Sequence, residues 1–240
     1  MGQQIRGVAC PLMVPKPLWQ SSALLTCIKL PQPPPWEARA QPEEHSMKQS
    51  SLQIIKDEHA ALRAMLQSLT MMLDRGPGDE PEGFFDVVRA MLFYIDEFPE
   101  KLHHPKESNL LFPRVARLAP QAMEAIVQLE EDHAHSEASV RDLQHLLLGW
   151  ELIGESRRAA FDTAVRRYVQ AYLAHMQLEE TAILPIAQTT LTDQDWAELD
   201  AAFEANRDPL ATKGQRDPVY DRLFTRIVMR APAPIGVGEA

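Results

Sequence analysis

Two segments of this chain place a histidine four residues before a glutamate and ten before a proline: HHPKESNLLFP from His103 and HMQLEETAILP from His175. Four residues along an α-helix advance about 6 Å and about 400°, so His103 and Glu107 leave one helix face, as do His175 and Glu179. An imidazole and a carboxylate so placed can bind one metal ion or two neighbouring ions. Two further histidines extend the pattern. His59, in DEH, precedes His103 by 44 residues, and His133, in EDH, precedes His175 by 42. The order is H, HxxxE, H, HxxxE, a tandem repeat in which each copy contributes a lone His and then a His/Glu pair.

Two hairpins related by a pseudo-twofold axis would bring four imidazoles and two carboxylates to one point. Nitrogen and oxygen donors without thiolates suit iron, manganese or zinc, and a near-symmetric set suits two ions about 3.5 to 4 Å apart. Two octahedral ions offer about twelve coordination positions. Four His, two bridging Glu and a bridging oxygen fill about ten, which leaves about two for a small exogenous ligand. A single HxxxE is more often a solvated pair on a helix face; it is the duplication with matched hairpin lengths that points to a site. The ferritin-like pattern, Glu-x-x-His, occurs at Glu100 to His103 and Glu130 to His133. It fails at His175, where the residue three back is Tyr172. His45, His104, His135 and His145 match no position in the repeat and are expected at the surface. The aromatics near the motifs, among them Tyr94, Phe112, Tyr168 and Tyr172, are expected to pack the core.

The elements that must position these residues are helical. Apolar positions from Ile54 to Leu73 follow helical spacing, with Ser50 or Ser51 as N-cap, and RGPGDEPEG ends that helix. A second helical stretch runs from about Phe84 to Arg117 with kinks expected at Pro99 and Pro105. A third extends from Pro120 to about Leu148, before GWELIGES, and a fourth from about Ser156 to Ala187. Thr192 is placed to cap a short fifth helix. The expected fold is all-α: an up-down-up-down four-helix bundle, whose facing helices can build a site in the core. The first 46 residues hold eight of the 19 prolines with no helical or strand period, and read as a disordered extension. Met47 has the look of a natural start. The expected division is 1–46 extension, 47–190 bundle, and 191–240 short helix and surface tail.

Composition narrows the function further. The chain has 240 residues, 45% apolar and 24% charged, which is ordinary for a globular protein. A formal charge of -10 opposes a general role on nucleic acid or anionic membranes, since both need a basic face. Both cysteines, Cys10 and Cys27, lie near the N-terminus, so His, Asp and Glu must carry the chemistry. No apolar run reaches the roughly 18 residues a bilayer span needs, and PLWQSSALLTCIKL makes a poor signal peptide, so a cytoplasmic protein is expected.

The motif order, the separations and the LLFP and AILP endings, over about residues 50 to 190, resemble the hemerythrin family, specifically the bacterial hemerythrin-like HHE cation-binding domains. That resemblance implies a non-haem di-iron centre, with zinc or manganese less favoured. Glu107 and Glu179 would bridge the irons, and His59, His103, His133 and His175 would be terminal ligands. It also implies binding of, or reaction with, dioxygen or a related diatomic such as nitric oxide, in sensing, scavenging or iron and oxygen handling. An oxidoreductase acting on nitric oxide or peroxide is the alternative, and a purely structural metal site is another. The chain departs from the oxygen carriers of the family at one position. These have a second histidine four residues after the third-helix ligand, where this chain has Glu137. Glu137 is a seventh candidate ligand: it can replace the imidazole, leave its place to water, or point at solvent. A carboxylate there would favour the ferric state and lean towards redox chemistry over oxygen carriage.

Overall fold

A computed structural model describes residues 50–211 and 218–238. The expected extension, with His45 and Met47, lies outside the described residues. Four long helices form the bundle. The first, α1, spans Ser50–Arg75. The second, α2, is a continuous helical run over 81–118, opened by Pro81, whose missing N–H costs nothing at the first turn. A 3₁₀ turn at Pro120–Ala122 leads into α3, Met123–Ile153. The fourth, α4, is a run over 158–190. Among the described residues there is no sheet, only an isolated bridge between Pro232 and Gly238. No described helix is long and apolar enough to cross a membrane.

Prolines shape the two helices that carry the HxxxE pairs. A proline inside a helix cannot donate to the residue four back, and its ring crowds that carbonyl. The chain absorbs this by widening. Asp96–His103, Glu107–Leu111 and Glu179–Ile183 are π-helical, and they run up to Pro105, Pro113 and Pro185 respectively. In each case the residue just before the proline donates five residues back: His104 to Pro99, Phe112 to Glu107 and Leu184 to Glu179. The expected kinks at Pro99 and Pro105 thus take the form of π turns, a device common at functional sites.

The helix ends show further differences from expectation. α3 continues past Leu148 to Ile153 and stops at Gly154, whose φ of +101° suits glycine. The added turn buries Trp150 edge-on against Phe84 and Phe85. Thr192 caps α5, Asp193–Glu204, in a capping box with Asp195, as expected. The hydroxyls of Ser50 and Ser51, expected to cap α1, reach across to Glu204 and Asp200 of α5 instead. The segment after α5, expected to be a surface tail, is part of the packed structure. It buries Asn206 and Asp208 and then forms α6, Asp221–Arg230, with Ile227 and Ala231 in the core. Ser68 of α1 donates to the Pro232 carbonyl at 2.8 Å and accepts from the Ile235 N–H at 3.1 Å.

The apolar interior has two parts. One surrounds Leu66, Met91, Leu147, Trp150 and Phe161; the other surrounds Ile55, Phe112, Leu129, Ile183 and Phe203. Every long helix passes from one to the other. Between them, on each helix, lies a candidate ligand: His59 between Ile55 and Leu62, His103 between Phe98 and Leu111, His133 between Leu129 and Val140, and His175 and Glu179 between Tyr172 and Ile183. The polar layer is clamped by apolar packing on both sides.

Trp150→Ala should destabilise the protein by about 3–5 kcal/mol through lost burial and a residual cavity, and Thr192→Ala by about 1 kcal/mol through one lost cap. Both are checked by urea denaturation followed by circular dichroism.

Candidate metal centre

The six residues of the repeat converge. His59, His103, Glu107, His133, His175 and Glu179 are all buried, and the two glutamates have no exposed surface at all. Their nitrogens and oxygens approach one another closely: His103 Nε2 to Glu107 Oε1 at 2.7 Å, His59 Nε2 to Glu179 Oε2 at 3.3 Å, His133 Nε2 to Glu107 Oε2 at 3.4 Å, and His133 Nε2 to His175 Nε2 at 3.3 Å. Yet both oxygens of Glu107, both of Glu179, and His103 Nε2 lack a hydrogen-bond partner among the described residues. The contact at 2.7 Å is therefore close without donor-to-acceptor alignment. Lone pairs aimed at a shared point behave this way. Ligands about 2.1 Å from one ion and at right angles lie about 3 Å apart, so the spacing fits a cation.

Two groups can be drawn. His59, His103, Glu107 and Glu179 form one; His104, Glu107, His133 and His175 form the other; in each, the ligand atoms lie within 4.8 Å of one another. Glu107 belongs to both, which suits a bridging carboxylate. Glu179 belongs only to the first.

The far side is held in turn at His59, His103 and His133. His59 Nδ1 lies 2.9 Å from Glu180, which Arg63 pairs with at 2.8 Å. His103 Nδ1 lies 2.5 Å from Glu58, and His133 Nδ1 lies 3.0 Å from the Ser108 hydroxyl, which itself donates to Glu130 at 2.8 Å. Anchoring Nδ1–H leaves Nε2 as the inward lone pair, the arrangement by which outer groups orient metal-binding histidines. His175 Nδ1 has only Asp132, at 3.6 Å.

The sequence reading needs two corrections, and they are linked. Glu137 is exposed, pairs with Arg141 at 2.5 Å, and stands outside both groups. Along α3 the inward seam runs through His133, Val140, Leu143, Leu147 and Trp150, with Ser136 rather than Glu137 completing it. A residue one turn from a ligand is off that seam when the helix faces its neighbours in three-four steps. His104, expected at the surface, is instead buried inside the second group. Its ring stacks on His133 with centroids 4.0 Å apart, its Nδ1 lies 3.1 Å from Glu100, and its Nε2 lies 2.7 Å from the Tyr172 hydroxyl. The i, i+4 spacing of Glu100 and His104 was a readable signal. It was masked because neighbours on an ideal helix point about 100° apart, so His103 inward seemed to put His104 outward. His135 and His145 are exposed, as expected.

Sequence reasoning also missed Glu58, Glu100, Ser108, Glu180 and Asn206, which act behind the candidate ligands. Glu58 and Glu180 each adjoin a motif residue in the chain; Asn206 offers no such signal.

Electrostatics favour a bound cation. Burial first, and then the neighbouring His133, pushes the His175 imidazole down to about 3 and holds His104 well below the usual range, which favours the neutral form of both rings. Burial, then the charge of Glu107, lifts the Glu179 carboxyl to about 7. At His103 and His59 burial favours the neutral ring, but neighbouring glutamates outweigh it and raise both. Protons on these imidazoles supply the positive charge that two buried carboxylates require.

The residues present thus define a buried binuclear cation site in a four-helix bundle. Residues 50–187 match the hemerythrin HHE cation binding domain, and the chain belongs to that family. A Haemophilus influenzae protein described only as uncharacterized is 32% identical over 95 residues, 40% of this chain and 53% of that protein. The match therefore spans about half the length of that relative.

Two outcomes are expected. A metal ion must displace protons from His59, His103 and Glu179, so apparent metal affinity should rise with pH between about 6 and 8, as competition with a chromogenic chelator would show. His104→Ala should weaken binding of the second ion by about 10- to 100-fold whereas Glu137→Ala should not, as read by metal content after dialysis.

Proposed function

We propose that the protein is a non-haem di-iron protein that binds dioxygen or a related diatomic and acts in sensing, scavenging or the handling of iron and oxygen. The observation that carries this reading is the pair of buried ligand groups sharing Glu107, seven His and Glu residues in all and none of them a thiolate. Such a set fits iron, which would supply redox and ligand-binding chemistry when bound. The chain's own part is to hold the Nε2 atoms of His59, His103 and His133 towards the two carboxylates and keep bulk water from them. The acidic balance of -10 supports a cytoplasmic protein acting without nucleic acid or membrane.

A second reading, an oxidoreductase that reduces nitric oxide or peroxide, gains support from one feature. The Tyr172 hydroxyl, His104 and Glu100 form a buried hydrogen-bonded chain beside the second group, and Tyr168 and Ser136 donate to the other oxygen of Glu100. That chain borders a cleft of about 750 Å³ between α3 and α4, lined by Tyr172 and His175. It offers a route for protons between solvent and the centre. Turnover with a chemical reductant separates the readings, because a binder saturates while an enzyme keeps consuming substrate.

Elemental analysis of protein purified without added metal should give about two irons per chain. His103→Ala and His175→Ala should each lose at least one ion and destabilise the bundle by leaving buried carboxylates uncompensated. Unchanged metal content in both variants, or zinc near one per chain with no iron, would sink the di-iron reading.

A further inference from the structure

The two ligand groups are supported unequally from behind. In the first, both imidazoles rest on carboxylates: His59 Nδ1 lies 2.9 Å from Glu180, and His103 Nδ1 lies 2.5 Å from Glu58. Each carboxylate is fixed in its turn. Arg63 pairs with Glu180 at 2.8 Å, and the Asn206 amide donates to both oxygens of Glu58 at 2.9 and 3.1 Å. These contacts tie α1 to α4, to α2 and to the segment after α5, so neither ring can turn without breaking a bond between elements.

The second group lacks such support. His133 Nδ1 meets a neutral hydroxyl, that of Ser108, at 3.0 Å. His175 Nδ1 is buried without a hydrogen-bond partner among the described residues, and Asp132 stands off at 3.6 Å. His104 has both ring nitrogens engaged, Nδ1 by Glu100 at 3.1 Å and Nε2 by the Tyr172 hydroxyl at 2.7 Å. It must give up one of those contacts before it can hold an ion. Charge divides the same way, since Glu107 serves both groups and Glu179 only the first. A carboxylate behind an imidazole fixes the ring, keeps the proton on the outer nitrogen and makes the inner one a better donor; losing such a partner costs about 10- to 100-fold in metal affinity.

We propose that the centre holds its two ions unequally. The ion among His59, His103, Glu107 and Glu179 is bound first and more tightly, with Glu58 and Glu180 as the positioning residues that make it so. The ion at His133 and His175 is bound second and less tightly. Between the two dissociation constants the protein carries one ion, and occupancy of the second group then follows the metal supply. The inference deepens the proposed function; it rests on two ions being bound and not on the metal being iron.

Cobalt(II), which accepts the same nitrogen and oxygen donors, is the probe, titrated into the metal-free full chain in competition with a chromogenic chelator. Wild-type protein should bind two ions in separate steps. Repulsion between neighbouring ions would weaken the second step whichever group it fills, so variants decide the assignment. Glu180→Gln is chosen because that side chain is 27% exposed and its replacement leaves the core intact. It should weaken the first step about 10- to 100-fold and leave the second unchanged, whereas Ser108→Ala should weaken the second alone. Damage to the fold would move both steps together and lower the melting temperature of the metal-free variant. Anomalous diffraction from crystals carrying one cobalt per chain should place that ion beside His59 and His103. Equal steps in the wild type, a Glu180→Gln loss that is absent, confined to the second step or shared by both, or a first ion beside His133 and His175 overturns the proposal. Two unequal cobalt steps in a protein that acquires no iron in cells would leave the inference standing and refute the di-iron reading. Equal steps in a protein purified with two irons would do the reverse, and protein that binds no cobalt refutes both.

Discussion

Two carboxylates with no exposed surface, Glu107 and Glu179, sit in the middle of an apolar bundle, and the rest of the structure depends on compensating them. Withdrawing each from water costs several kcal/mol even after relaxation. Among the described residues their oxygens find no hydrogen bonds, and the inward nitrogens of four imidazoles share the space. In the metal-free protein, protons on His59 and His103 partly fill the need. A pair of divalent cations would fill it directly. The apolar clusters on either side exclude water, which strengthens every interaction between a bound ion and its ligands.

The local helical geometry follows from the same demand. Donors from four helices must meet at one level, and α2 must deliver His103, His104 and Glu107 together. An ideal α-helix would aim His103 and His104 about 100° apart. The π turns running up to Pro105 and Pro113 change that phase and give the helix a broader inner face. A fifth imidazole consequently enters the centre from α2, stacked on His133, while the α3 position at Glu137 turns outward to pair with Arg141. The fifth histidine of the oxygen carriers has a counterpart here in number and not in place. His104 comes with Tyr172 and Glu100, so the second group is joined to a buried hydrogen-bonded chain.

The chain beyond the family domain belongs to the site. α5 and the residues after it close the side of the bundle at α1 and α2, where Asn206 holds Glu58 and Asp208 accepts from the Tyr94 hydroxyl at 2.7 Å. Burial lifts the Asp208 carboxyl to about 6, despite the donors it receives from Tyr94 and the Leu210 N–H. Polar residues of this segment are buried where groups already fixed on the bundle meet them, as Glu58 meets the Asn206 amide N–H and Tyr94 meets Asp208. α6 follows, laying Ile227 and Ala231 into the core.

Some of this was legible in the residues alone, because local rules suffice for it. Helical periodicity located the four long helices, Thr192 announced the cap of α5, and the repeated HxxxE selected the six residues that converge in the centre. Those signals work because spacing along one helix determines which side chains share a face. What the tertiary structure decided was everything that depends on which face meets which neighbour. His104 moved inward because α2 widens at its prolines; Glu137 moved outward because the seam of α3 passes through Ser136. Asn206 found Glu58 across 148 residues of chain, a pairing without any local signature. A histidine, a glutamate or an asparagine becomes part of a site through the groups that surround it, and those are set by packing between helices distant in sequence.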